Sequence, residues 1–219
     1  MHPPTVKPQN ALEALERAQW IAFAPFVFQA TAVLRDRGVL RAIEASKGGL
    51  TLEEIAAAAG LPLYGTRVLL EAGLGIGLVV EVEGRYRLTR TAEFVLHDPM
   101  TRANMDFTRD VNYLGLAHLD EAVATGKPAG LKVFGEWSTV YAALAQLPQF
   151  VRDSWFQFDH HYSDGAFAST LPLVFRARPR RLLDIGGNTG KWARACLQHD
   201  PEVEVTLMDL PGQLHNAEE

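Results

Sequence analysis

The sequence predicts a mainly α N-terminal winged-helix domain joined to the start of an α/β, Rossmann-like domain. Three observations carry that prediction. Residues 50–88 read as two short, capped helices followed by a hairpin. An apolar run ending in an acid, Leu182-Leu-Asp184, leads into a glycine-rich turn that opens a helix. A second apolar run, from Val203 to Met208, ends in another acid, Asp209.

The first element is a long helical stretch. Leu12 to Ser46 is helical by composition, with apolar residues at Leu12, Leu15, Ile21, Phe23, Phe26, Val27, Phe28, Val33, Leu34, Leu40 and Ile43. Pro25 is expected to break or kink it, and Gly38 marks a second joint. The segment Trp20 to Phe28 is too apolar on all sides for an exposed helix. It is also too short to span a bilayer, which takes about 20 apolar residues. Either this domain or a second subunit buries it. A small winged helix has little core to spare for so many aromatics, which favours the second subunit.

Next comes Leu50-Thr-Leu-Glu-Glu-Ile55, a helix start with Thr51 as cap, Glu54 at the reciprocal position and Leu50 with Ile55 as a staple. Gly60 ends that helix, and Pro62 opens another that runs towards Gly73. Val79 to Leu88 reads as a hairpin turning at Glu83-Gly84-Arg85. That turn pairs Val82 with Tyr86 and Val80 with Leu88 on one face, and sets Glu81 opposite Arg87 on the other. Winged helices often bind DNA, which needs several Lys or Arg contacts to phosphate. The segment 61–75 carries only Arg67 against Glu71, and the chain has 21 basic against 26 acidic residues. Arg85, Arg87 and Arg90 are flanked by Glu81, Glu83 and Glu93. An interaction module is expected, with no nucleic acid.

Residues 97–180 read as helical with breaks. Loops are expected at Asp98-Pro99 and at Gly126 to Gly130, and helices from Ser138 to Phe150 and from Val151 to Leu171. Trp155 to Asp164 combines aromatics with two histidines and two acids. A metal site is disfavoured there. Adjacent histidines on a helix point about 100° apart, whereas ligand pairs favour i, i+4 spacing, and no cysteine accompanies them. Structural packing stays open for these residues.

At the glycine turn, Gly186, Gly187 and Gly190 leave a bare, concave backbone. Asp209 follows Asp184 by 25 positions, close to the offset of roughly 20 at which α/β folds set an acid against ribose hydroxyls. The dinucleotide pattern G-x-G-x-x-G would need a glycine at position 185, where Ile185 stands. The pattern present is D-x-G-x-x-x-G. An acid at the strand tip repels a pyrophosphate but suits a ligand bearing an ammonium group. NAD is disfavoured and S-adenosylmethionine favoured. An ordinary strand–turn–helix of another α/β protein is the bland alternative.

The segment Asp184-Ile-Gly-Gly-Asn-Thr-Gly190 resembles the first motif of class I S-adenosylmethionine-dependent methyltransferases. Its double glycine resembles the O-methyltransferases that include plant caffeate-type and bacterial polyketide enzymes. The resemblance implies that Gly186, Gly187 and Gly190 lie along the methionine part of the cofactor. It places Asp184 near the ammonium group, Asp209 on the ribose hydroxyls and Leu210 beside the adenine. The family commonly has a third glycine where this chain has Asn188, and Asn tolerates left-handed geometry better than most residues. The resemblance also implies that Phe158, His160, His161, Tyr162 and Asp164 include residues facing cofactor or acceptor. It further implies an intertwined homodimer through the N-terminal helices. The family's general base lies well beyond the second strand, so no catalytic residue is assigned.

The expected division is 1–96 as helical and winged-helix dimerisation domain, 97–175 as helical linker and pocket region, and 176–219 as the first βαβ unit. Two parallel strands are marginal alone. A longer chain, or a second polypeptide making a heteromer, is expected to complete the sheet. Cys196 is the one cysteine, so no intrachain disulfide forms. His2, Pro3 and Pro4 open the chain without the basic flank of a signal peptide, and a soluble cytoplasmic protein is expected, without membrane contact. Three functions follow. The leading one is an O-methyltransferase, or the cofactor-binding part of a split one, acting on a small aromatic or polyketide-like acceptor. The others are a non-catalytic scaffold of the same fold and a winged-helix transcriptional regulator.

Overall fold

The structure, a computed structural model, describes residues 10–218. The signal-peptide reading rests on His2, Pro3 and Pro4, which lie outside the described residues. The chain forms two compact units, one ending at Asp98 and the other beginning at Pro99.

In the first unit, helix α1 spans Ala11–Asp36. Asn10 caps it by accepting the N–H groups of Leu12 and Glu13, each at 3.0 Å, while the Glu13 carboxylate accepts the Asn10 N–H. Pro25 lies inside α1, which continues across it, so the expected break does not occur. The ring removes one hydrogen bond, at a cost of about 3 kcal/mol. The turns on either side are held by the Asn10 cap and by the burial of Thr31, Ala32 and Leu34. Gly38, at φ +76°, makes the expected joint before α2, Val39–Glu44.

Thr51 and Glu54 form the expected capping box at the start of α3, Leu52–Ala59, which ends on Gly60 at φ +63°. Helix α4, Leu63–Ile76, runs past Gly73 and ends at Gly77. Gly73 is interior because a Cβ there would sit 3.2 Å from Val79 and 3.3 Å from Leu34. Strands β1, Val79–Val82, and β2, Arg85–Leu88, are antiparallel. Their register differs from the expected one by one residue: Val82 faces Arg85, Glu81 faces Tyr86 and Val79 faces Leu88. The turn has two central residues, Glu83 and Gly84, both at positive φ. This is the hairpin turn whose twist matches its strands. A one-residue slip exchanges the faces, so Val80 and Val82 share the exposed face with Arg85 and Arg87. Helix α5, Arg90–His97, closes the unit. Its core is Leu34, Leu40, Ile43, Ile55, Leu70, Leu78, Val79 and Leu96.

The second unit opens with α6, Pro99–Asp106, a π-helical turn at Phe107–Asn112 and α7, Leu119–Thr125. Pro99 begins a helix rather than a loop. The expected helix over 138–150 shrinks to α8, Val140–Ala143, and a 3₁₀ turn, because Leu147 before Pro148 is extended at ψ 152°. Helix α9, Gln149–Ser163, ends earlier than expected, at a 3₁₀ turn over Asp164–Ala166. Helix α10, Phe167–Val174, carries Pro172 within it. Strand β3, Arg181–Ile185, then α11, Lys191–His199, and β4, Glu204–Met208, form the expected βαβ unit. The strands are parallel, with Asp184 opposite Leu207. Helix α12, Pro211–Glu218, follows. A second core gathers Ala143, Leu144, Leu147 and Val151, with Trp137 and Trp155 packed against it.

Candidate functional site

The turn between β3 and α11 is shaped by what its positions exclude. Gly186 and Gly190 have φ of +74° and +71°, in the left-handed region that glycine enters freely. Gly187 is fixed by space: an added Cβ would lie 2.0 Å from Leu207 Cδ1 and 2.5 Å from Asp184 Oδ2. Asn188 adopts φ +53°, so the position that departs from glycine keeps left-handed geometry. The Gly190 N–H donates to the Gly187 carbonyl and closes the turn.

Asp209, just past β4, faces this turn. Its Oδ2 accepts the Asn188 N–H at 2.8 Å, and its Oδ1 accepts the Leu210 N–H at 2.7 Å. A carboxylate oxygen has two lone pairs, so Asp209 keeps capacity for two further donors. Asp184 sits in β3, and its Oδ2 is buried with no hydrogen-bond partner. Burial, and then the charge of Asp209, push the Asp184 carboxyl above its usual range. An unpartnered buried carboxylate oxygen beside a backbone cradle suits a cationic group.

That shift fixes a pH dependence of stability. Below the ordinary carboxylate range, folded and unfolded chains both hold the Asp184 proton. As pH rises, the unfolded chain loses it first, so stability falls until the folded value is passed. Asp184→Asn is therefore expected to melt at higher temperature than the parent near neutral pH, with the gap closing in acid. Thermal melts across that range measure it, and a gap that does not change with pH would contradict the burial of this carboxylate.

Helix α9 supplies the other wall. Asn188 Nδ2 donates to Asp159 Oδ2 at 2.6 Å, Thr189 Oγ1 meets His160 Nε2 at 2.9 Å, and Lys191 Nζ donates to Asp164 Oδ2 at 2.9 Å. His160 Nδ1 lies 3.2 Å from Asp164 Oδ1. Burial raises the Asp164 pKa, but hydrogen bonds from Lys191 and Ser163 and the nearby His160 outweigh it, and the net shift is downward. An ionised Asp164 orients the imidazole with Nδ1 as donor.

Of the pocket residues expected from sequence, His160 meets the turn at Thr189 and Asp164 meets Lys191 at the start of α11. Phe158 and Tyr162 lie on another face of α9. Phe158 stacks on Phe107 at 4.0 Å between ring centroids, and the Tyr162 hydroxyl donates to Asn104 Oδ1 at 2.9 Å. His161 meets Tyr162 edge-on. Leu210 is exposed. Asp159, Thr189 and Lys191 were not anticipated. Asp159 is inconspicuous in sequence because its role depends on a partner 29 positions away. Among the described residues, no group of three or more His, Cys, Asp or Glu is placed to hold a metal ion, and no helix is long and apolar enough to cross a membrane.

A glycine turn between two acids near the ends of adjacent parallel strands, on one βαβ unit, defines an α/β protein with an open backbone cradle at its strand ends. Comparison with known proteins narrows the class. Residues 16–86 match the Dimerisation2-like domain. The chain is 27% identical over 213 residues to L-tyrosine C(3)-methyltransferase of Streptomyces lavendulae, covering 95% of this chain and 57% of that protein. It is 24% identical over 197 residues to human acetylserotonin O-methyltransferase, covering 83% and 55%. Among solved structures, it is 25% identical to the O-methyltransferase NcsB1 from neocarzinostatin biosynthesis, held with S-adenosyl-L-homocysteine and 1,4-dihydroxy-2-naphthoic acid. That match has a TM-score of 0.71 and covers 92% of this chain and 61% of that one. The chain thus carries a Dimerisation2-like domain, and its homologues and structural neighbours are S-adenosylmethionine-dependent methyltransferases, O-methyltransferases among them. It spans less than two thirds of the length of each of these three.

Proposed function

We propose that this chain binds S-adenosylmethionine and serves as a methyltransferase, or as its N-terminal, cofactor-binding part, acting on a small aromatic or polyketide-like acceptor. The observation that carries this is the pair of acids flanking the cradle: Asp184 with a buried unpartnered oxygen, and Asp209 held by two backbone N–H groups. When bound, the cofactor supplies a methyl group on a sulfonium, which is open to in-line displacement. Asp209 holds the ribose hydroxyls, and Leu210 flanks the adenine. The backbone from Gly186 to Gly190 admits the methionine portion without a side-chain clash, and the Asp184 carboxylate offsets its ammonium charge. Of Phe158, His160, His161, Tyr162 and Asp164, it is His160 and Asp164 that stand at the cradle's edge. Holding the two reactants aligned supplies several kcal/mol of the barrier reduction. Calorimetric titration with S-adenosylhomocysteine tests the proposal: saturable one-to-one binding supports it, and no heat or displacement at millimolar ligand defeats it.

A second reading concerns the acceptor atom. Similarity over nearly the whole chain to an enzyme named for methylation at C(3) of tyrosine favours an aromatic carbon as well as an oxygen as acceptor. Product mass and NMR after turnover with a phenol separate the two.

The N-terminal part, 1–96, acts in this proposal as a winged-helix homodimerisation domain, 97–175 as the pocket region and 176–219 as the cofactor-binding unit. Helix α1 leaves Ile21, Phe23 and Phe26 at 66%, 56% and 72% exposure. Phe23 and Phe26, with Trp20, Val27 and Val68, line a groove of about 1250 Å³ between α1 and α4. Exposed apolar patches of this kind mark interfaces, and the Dimerisation2-like match overlaps both helices. Phe26→Glu is expected to convert the dimer to monomer in sedimentation velocity at micromolar concentration while leaving the helical circular dichroism unchanged. A dimer that survives Phe26→Glu combined with Phe23→Glu would place the interface elsewhere.

A further inference from the structure

Two side-chain contacts join α9 to the glycine turn, Asp159 with Asn188 and His160 with Thr189, and one of them bears directly on Asp209. Asn188 is bonded on both sides. Its side-chain amide donates to Asp159 at 2.6 Å, and its backbone N–H donates to Asp209 at 2.8 Å. Glycine would adopt φ +53° more readily than Asn, so backbone conformation alone gives no reason for the amide. Its bond to Asp159 does. The amide ties the left-handed residue to α9, and the direction of that residue's N–H follows.

We propose that Asp159 is a positioning residue for the cofactor: by holding the Asn188 side chain, it orients the Asn188 N–H that fixes the Asp209 carboxylate for the ribose. The inference rests on the cofactor reading above. Asp159 touches no cofactor atom in this scheme and acts through Asn188 alone. His160 holds the next turn position through Thr189, and Asp164 holds Lys191 at the start of α11, which keeps the turn in place when the Asp159 bond is lost. The effect of losing Asp159 is therefore a looser Asp209, not an unfolded turn. A hydrogen bond to a charged group is worth enough for a shift of about tenfold in affinity.

The test is a thermodynamic cycle read by titration of the full chain with S-adenosylhomocysteine. Asp159→Ala is expected to weaken binding about tenfold, and Asn188→Gly, which keeps the backbone geometry and removes the amide, by a similar factor. The double variant is expected to bind no more weakly than either single one, because both changes break one bond. Asp159→Asn, whose amide oxygen still accepts from Asn188, is expected to recover most of the affinity. A role in stability alone would lower the melting temperature of Asp159→Ala and leave affinity unchanged, and that result overturns the proposal. Additive losses in the double variant overturn it too. If Asp159→Ala fails to fold, Asn188→Gly carries the decision: parental affinity in that variant overturns the inference. A parent chain that binds no ligand would instead refute the cofactor reading, so the two failures are distinguishable.

Discussion

Asp209→Ala is expected to weaken S-adenosylhomocysteine binding by at least about a hundredfold. Two charge-assisted bonds to ribose hydroxyls are lost, each of the class worth roughly 1.5–3 kcal/mol. The variant also releases the N–H groups of Asn188 and Leu210, which Asp209 holds at 2.8 and 2.7 Å. Asp209→Asn separates these contributions. Its amide oxygen accepts one backbone N–H and one hydroxyl at most, so its affinity should fall between the parent and the alanine variant. Calorimetry on all three proteins, with circular dichroism to confirm folding, reads the result. Equal affinity for parent and Asp209→Ala would remove Asp209 from the site.

Gly187→Ala is the second change with a large expected effect, and its cause is steric. The new methyl would lie 2.0 Å from Leu207 and 2.5 Å from Asp184, on two adjacent strands, and neither approach is tolerable without movement of the turn or of β4. Overpacking of this kind costs about 1–3 kcal/mol, and the displaced turn would also carry its backbone out of the cradle. Both thermal stability and ligand binding are expected to fall. Gly165→Ala is the control. A Cβ at Gly165 meets nothing within 4 Å, and alanine there removes only unfolded-state freedom, so its melting temperature should match or slightly exceed that of the parent. Differential scanning calorimetry compares the pair. A Gly187→Ala chain as stable as the Gly165→Ala chain would mean that the turn is packed differently.

Much of the architecture was legible because it is written in local patterns. The Thr51–Glu54 box, the glycine stops at Gly38 and Gly60, and the strand–turn–helix–strand from Arg181 to Met208 each depend on residues close in sequence. The hairpin register is not legible from alternation alone, because Glu83 accepts positive φ, which shortens the turn to two residues and puts Val80 and Tyr86 on opposite faces. The expected break at Pro25 does not occur because the Asn10 cap and the buried Thr31, Ala32 and Leu34 anchor α1 on both sides of it. At the candidate site, Asp184, the glycines and Asp209 stood out by spacing, as did the left-handed tolerance of Asn188. Asp159, Thr189 and Lys191 did not, since their meaning lies in contacts that span 27 to 29 positions, from α9 and the residue after it to the turn and the start of α11. The aromatic run in α9 also divides in a way composition does not show. Phe158 and Tyr162 turn to Phe107 and Asn104, while His160 turns to Thr189.

A crystal structure of this chain soaked with S-adenosylhomocysteine bears most directly on the central claim. The expected result is density along residues 186–190, both ribose hydroxyls within about 3 Å of Asp209, and the ligand's amino group beside the Asp184 carboxylate. Density at some other place, with Asp184 and Asp209 contacting protein atoms alone, would contradict it.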